Sequence, residues 1–167
     1  MSLENFVRQV HPREIIKGIS GKDLQNTNVV FINMPLRETA VPNVTPQGIL
    51  LMATNLRDNY GVNASIVDLN AYRIKDELAE KKGLVNGRHL SEQESYELIR
   101  KHLQVHGEPS LVAFSGMITT LRWQQTVAKI MHSLCPDTLL ASGGGLATEL
   151  KTGLFNYIPE LDGVAHS

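Results

Sequence analysis

Leu111-Val-Ala-Phe-Ser-Gly-Met-Ile-Thr-Thr120 decides the fold: an apolar run that breaks at Ser115-Gly116 and ends in two threonines, just before a helical pattern begins. It reads as a central strand, a functional loop and a helix start. Strands that are apolar on both faces belong to parallel sheets covered by helices, and such sheets hold ligands beyond the carboxyl ends of their strands. Ser115 to Thr120 lies at that end. The helix that follows carries Trp123, Val127, Ile130, Met131 and Leu134 on one face and stops at Pro136-Asp137.

Outward from this stretch the same alternation repeats. Asn28 to Met34 is an uninterrupted apolar, β-branched run that predicts a buried first strand. A loop from Pro35 to Thr45 follows, rich in turn formers. Thr45-Pro46 then offers an N-cap and a first-turn proline for a helix that buries Ile49, Met52, Ala53 and Leu56 and ends at Gly61. Further strands are predicted at Ala64–Leu69, Thr138–Ser142 and Leu161–His166, with a short helix on Leu150 and Leu154 after Gly143-Gly144-Gly145. Between Asn70 and Pro109 the chain is polar and helical, and longer than one crossover helix requires. Two helices separated by an exposed loop through Gly83 and Gly87 are expected there. Residues 1–26, with Leu3/Phe6/Val7/Val10 and Ile15/Ile16/Ile19, form an N-terminal helical arm in this reading, and 27–167 the domain itself.

Five strand–helix units imply a doubly wound, flavodoxin- or Rossmann-like α/β fold: a five-stranded parallel sheet, order 2-1-3-4-5, with helices on both faces. In that order the loops after Met34 and Phe114 flank one crevice, with Gly143–Gly145 beside it. The glycines let a ligand lie against the backbone, and N–H groups at the next helix start favour a phosphate. Ser115, Thr119 and Thr120 offer hydroxyls. Each feature also has a purely structural use, as a tight turn or a helix cap.

Composition narrows the function classes. The 167 residues are 42% hydrophobic and 20% charged, enough for a single core. A net charge of -1 provides no basic footprint for nucleic acid. No apolar run is long enough to span a membrane, and Met1 to Val10 lacks a signal-peptide core, so a cytoplasmic location is expected. The single cysteine, Cys135, excludes an internal disulfide and any multi-cysteine cluster. His102 and His106 share a helical face at i, i+4 spacing but lack a third ligand, so a solvated face is expected. Neither G-x-G-x-x-G after the first strand, nor a P-loop, nor a G-x-S-x-G elbow is present, and the receiver-domain acidic positions hold Asn33 and Ser115. No catalytic residue and no metal ligand is assigned.

The ordered set P-x-G-I-L-L-M-A-x-x-L-R-D-x-Y-G (46–61), V-D-L-N (67–70), F-S-G-M-I-T-T (114–120), S-G-G-G-L-A-T (142–148) and I-P-E-L-D-G-V (158–164) resembles the N-terminal cobalamin-binding domain of radical SAM enzymes. The resemblance implies a corrin on the carboxyl edge of the sheet and a nucleotide tail in the crevice. By position, Pro35 to Thr45 would face the corrin, Ser115, Gly116, Met117, Thr119 and Thr120 would line the tail, and Gly143, Gly144 and Gly145 would pack against its dimethylbenzimidazole or phosphate. Met34 to Gln47 contains no histidine, unlike the D-x-H-x-x-G loop of methionine-synthase-like domains, so the tail is expected to be displaced without a protein imidazole replacing it. The C-x-x-x-C-x-x-C motif of the iron–sulfur cluster is absent. The resemblance therefore implies a cofactor-carrier fragment of a methyltransferase or cyclase-like enzyme. Its missing radical SAM domain would bring S-adenosylmethionine and the cluster. A cofactor-free scaffold domain and a stand-alone flavodoxin-like module for a phosphate-bearing ligand remain as alternatives.

Overall fold

The computed structural model describes residues 27–36 and 45–166. The expected N-terminal arm and most of the Pro35–Thr45 loop lie outside the described residues. Five parallel strands run in the order β2-β1-β3-β4-β5: β1 (Asn28–Asn33), β2 (Asn63–Asp68), β3 (Leu111–Ser115), β4 (Leu139–Gly143) and β5 (Gly163–Val164). The doubly wound arrangement expected from the strand–helix alternation is therefore present, with strand ends shifted by a residue or two and a shorter fifth strand.

Helix α1 (Gln47–Tyr60) packs on one face of the sheet through Ile49 and Ala53, against Val29, Phe31, Val62 and Ala64. Its start differs from expectation. Pro46, not Thr45, is the cap residue, and no side chain caps the helix; the Pro46 carbonyl accepts from the Leu50 N–H at 3.0 Å. Its end is as the sequence suggests: Gly61 adopts φ 65°, the left-handed conformation that glycine adopts without a Cβ clash, and returns its N–H to the last turn.

The other face carries α3 (Glu92–His106), α4 (Leu121–Leu134) and α5 (Gly145–Leu150), which bury Ile99, Val127, Met131 and Leu146 against Val30, Ile32, Val112 and Leu140. Each fully buried side chain of this size contributes roughly 1.5–3 kcal/mol. A capping box starts α3: the Glu94 N–H donates to Ser91 Oγ at 3.2 Å and the Ser91 N–H to Glu94 Oε2 at 2.7 Å.

The long β2–β3 crossover corrects one expectation. Its first helix, α2 (Glu77–Lys81), is only five residues long, and the connection to α3 is not exposed throughout. Ile74 and Arg88 form an antiparallel bridge, and His89 and Leu90 are buried. Arg88, whose side chain is 12% exposed, ties the lobe together by binding Asp76 at 2.7 Å and Glu94 at 2.6 Å. Gly87 sits at φ +86° with the Ile74 carbonyl 2.8 Å from where a Cβ would stand. No helix among the described residues is long and apolar enough to cross a membrane.

Candidate functional site

Parallel register aligns four strand ends in one row. Asp68 pairs with Asn33, Asn33 with Ser115, and Ser115 with Gly143. The β2 and β1 ends are joined by side chains: Asn33 Nδ2 donates to Asp68 Oδ1 at 2.7 Å, and the same oxygen accepts the Asn70 N–H at 3.0 Å. The buried Asn70 side chain accepts the Leu36 N–H at 3.0 Å, anchoring the start of the β1 loop. Thus the V-D-L-N segment has a structural use, as the brace between two loops at the carboxyl edge.

The β3 and β4 ends are joined by close backbone approach. The Gly116 N–H donates to the Gly143 carbonyl at 3.3 Å, and the Leu146 N–H to the Gly116 carbonyl at 2.9 Å. Gly144 has φ +84°, and a Cβ there would run into Ser115 Oγ. A Cβ on Gly116 would meet Thr120 Oγ1 and stand 2.5 Å from Gln124 Nε2. These two glycines are therefore filled by the protein itself. Gly143 differs: a Cβ there meets only Ala165, at 3.7 Å.

Beneath the loop lies a buried polar chain that the sequence patterns did not disclose. Ser142 Oγ bonds Gln124 Oε1 at 2.8 Å, Gln124 Nε2 donates to Thr120 Oγ1 at 3.2 Å, and Thr120 Oγ1 donates to the Met117 carbonyl at 2.9 Å. Thr120 consequently stabilises the loop from inside, and its hydroxyl does not face the crevice. The buried glutamine on the apolar face of α4 was the available signal, since a buried amide requires partners.

The single crevice expected from the strand order is divided by the 116–120 loop into two cavities. On the α1 side is a slot of about 210 Å³. Its floor is the paired row Phe31, Ala113 and Ala141, with Ser115 and Gly143 one row higher; Ile49 and Met52 of α1 form one wall and Ala165 the other. It exists because α1 covers β1 and β2, while the neighbouring strands present only small side chains toward it. On the opposite side is a cavity of about 400 Å³ between the crossover lobe and α4, lined by Leu36, Leu78, Lys82, Thr119, Arg122 and Trp123 among others.

The expected site residues are thus distributed. Ser115, Gly143 and Gly144 line the slot; Thr119 lines the other cavity. Gly116 and Thr120 belong to the packed partition. Met117 and Ile118 project from its top, 54% and 66% exposed. Gly145 begins α5, a helix of six residues whose Leu146 N–H is already bonded to Gly116, so the backbone donors expected for a phosphate are partly occupied.

Among the described lining residues of the two cavities, the charged ones are on the lobe side. Hydrogen bonding to Arg88 pulls the Glu94 carboxyl down to about 2 and holds the Asp76 carboxyl below its ordinary value, while Glu94 and Asp76 raise Arg88. Away from both cavities, His102 and His106 stack at 4.3 Å, and His102 Nε2 lies 2.9 Å from Ser65 Oγ. His102 is half-buried, not solvated as expected; burial, and then His106, push its pKa down. Among the described residues no group of three His, Cys, Asp or Glu side chains is placed to hold a metal ion. Burial raises the Cys135 thiol pKa, consistent with a packing role.

Comparison of the chain with protein-family models gives no match, and comparison with curated proteins gives no significant one.

Proposed function

We propose that this domain binds cobalamin, with the nucleotide end of the cofactor in the α1-side slot and the corrin on the carboxyl edge of the sheet. The observation that carries this reading is the shape and chemistry of the slot. Ala113, Ala141 and Gly143 make a flat floor, Ile49 and Met52 an apolar wall, and no charged side chain among the described residues lines it. A planar heteroaromatic ring is the kind of group that fits. At about 210 Å³ the slot is smaller than the 300 Å³ or more typical of a complete small-molecule site, so it suits one end of a larger ligand. Met117 and Ile118 are exposed apolar side chains above its mouth, suited to a broad, largely apolar disc. Ser115 offers a hydroxyl within the slot, to hydrogen-bond a ring nitrogen or an amide.

Bound cobalamin would supply a cobalt centre able to carry a methyl group. The chain's own residues would hold the tail, exclude water from it and leave the cobalt without a histidine from the 34–47 loop. The radical SAM partner domain, S-adenosylmethionine and the iron–sulfur cluster belong to the same proposal through the sequence resemblance alone. Among the described residues of the slot there is no cation to favour a phosphate-terminated ligand held there.

The test is retention of hydroxocobalamin by the full chain after desalting, read by its absorption spectrum, with Ala141→Leu as the slot-filling variant. Ala141 is preferable to Gly144, where any side chain strikes Ser115 and the fold itself is at stake. Wild-type protein should retain colour and shift to a base-off spectrum on reduction, and Ala141→Leu should lose it. Colourless wild-type protein, or equal retention by the variant, would overturn the assignment.

A further inference from the structure

We propose that the cavity on the opposite side of the 116–120 loop is a second, separate site, for an organic anion with an apolar body. The inference does not rest on cobalamin binding. It begins with the crossover between β2 and β3, which needs only about a dozen residues to return to a parallel strand yet runs from 69 to 110. The additional chain is not a loose loop. The Ile74–Arg88 bridge, the glycine at 87 and the clamp of Arg88 on Asp76 and Glu94 fix it as a lobe, and that lobe forms one wall of the cavity. α4 forms the other. Leu36 and Thr119, just past the ends of β1 and β3, close the base at the point where the sheet order reverses, the position at which open α/β sheets bind ligands.

Chemistry within the cavity selects the ligand class. Its volume of about 400 Å³ is within the range of complete small-molecule sites. Leu36, Leu78 and Trp123 provide apolar surface, and Leu78 is 49% exposed. The Trp123 ring is held edge-on to the buried His89 ring, centroids 6.3 Å apart, so its position is set by packing. Arg88 is neutralised by its two carboxylates. Of the remaining charged residues in the lining, Lys82 and Arg122 are cationic and their side chains make no ion pair or hydrogen bond among the described residues, whereas Glu92, whose Oε1 accepts from Thr126 Oγ1 at 3.4 Å, is the only carboxylate among the described lining residues. Two uncommitted cations beside an aromatic wall favour a carboxylate or phosphate attached to a ring or hydrocarbon. Glu92 sets a requirement of its own: the anionic group must lie on the Lys82–Arg122 side.

Trp123 is the only tryptophan in the chain, so its indole N–H gives a single nitrogen–proton signal that reports on this cavity. The experiment titrates the full chain with 2-naphthoate, 2-naphthyl phosphate and, as the uncharged counterpart, 2-naphthalenemethanol, and follows that signal. Saturable shifts are expected with one or both anions, and binding of the alcohol about tenfold weaker or less. The preferred anion identifies carboxylate or phosphate as the physiological group. Arg122→Gln and Lys82→Gln should each weaken the anions by about fivefold to tenfold without changing affinity for the alcohol, as expected for the loss of one charge-assisted hydrogen bond at a part-exposed site. Both side chains are exposed, and an unchanged amide spectrum elsewhere verifies the fold. An indole signal unmoved by all three compounds, an alcohol that binds as tightly as the anions, or anion affinities untouched in both variants would overturn the proposal. Ala141→Leu separates the two sites: loss of cobalamin with naphthoate binding intact is expected, and a failure of either ligand alone bears only on its own site.

Discussion

The two cavities that flank the 116–120 loop are built by opposite means. The α1-side slot is made of missing atoms: Ala113, Ala141 and Gly143 leave a gap that α1 does not fill. The lobe-side cavity is made of added chain, a 42-residue crossover held by a three-membered ion cluster, with Lys82 and Arg122 in its lining. The first suits shape-selected apolar groups, because little in it discriminates except volume. The second suits charge-selected groups, because Lys82 and Arg122 act before contact is made. Between them stands a partition in which the space beside Gly116 is filled by the Thr120 and Gln124 side chains, so the two spaces share a wall without sharing lining.

The partition is the most sensitive place to break that contrast. Gly116→Ala places a Cβ against Thr120 Oγ1 and Gln124 Nε2, both already engaged in the buried chain to Ser142. Overpacking of this kind should remove about 3 kcal/mol, lowering the melting temperature by roughly 6–12 °C for a chain of this length, as measured by calorimetry. A variant of undiminished stability would mean that the loop moves freely and that the two cavities are not rigidly separated. Gln124→Leu should cost less, about 2 kcal/mol, by leaving the Ser142 and Thr120 hydroxyls short of a partner; urea unfolding measures it, and a neutral effect would show that water substitutes for the amide.

The lobe is testable through its charges. In the folded chain the Glu94 carboxyl titrates near 2 instead of its ordinary 4.5, so its contribution to stability is present above about pH 4.5 and is lost as the pH falls toward 2. Denaturation midpoints should decline across that window in wild type and be flatter in Glu94→Gln. Naphthoate binding should weaken in the variant while cobalamin retention remains. Parallel loss of both ligands would make the two cavities one functional site.

The smallest expected effect belongs to a region outside both cavities. His102 has a folded pKa below its ordinary 6.5, because burial and His106 disfavour the imidazolium. Its contribution is therefore present above pH 6.5 and declines as the pH falls below it, well separated from the Glu94 window. His102→Gln should make stability fall less between neutral pH and mildly acidic pH, as measured by urea unfolding at the two pH values. An unaltered profile would assign the slope to other histidines.

Much of the frame was legible along the chain. Asn28–Met34 and Leu111–Ser115 have the continuous apolar character of strands buried on both faces, and the glycine at 61 marks a helix end that adopts φ 65°. Those signals are local, depending on a few neighbouring residues, and so they survive without knowledge of the rest of the fold. The carboxyl-edge location of Ser115 and Gly143 followed from strand direction and order for the same reason. By contrast, the burial of His89 and Leu90 was invisible, because a polar segment bounded by glycines has the composition of an exposed loop until Arg88 is seen gathering Asp76 and Glu94 around it.

By itself, then, the sequence determined the parallel α/β class, the 2-1-3-4-5 order and which residues lie at the carboxyl edge, since hydrophobic period, turn residues and crossover handedness are properties of adjacent chain. Only the tertiary structure decided what each residue at that edge does. It turned Thr120 inward, filled the space beside Gly116 and Gly144, left the space at Gly143 open and brought Trp123 and Arg122 opposite Lys82. Those outcomes depend on how side chains pack across loops and between elements, from Thr120 and Gln124 beside Gly116 to Lys82 opposite Arg122, where one missing Cβ or one paired arginine determines whether a space is closed or open.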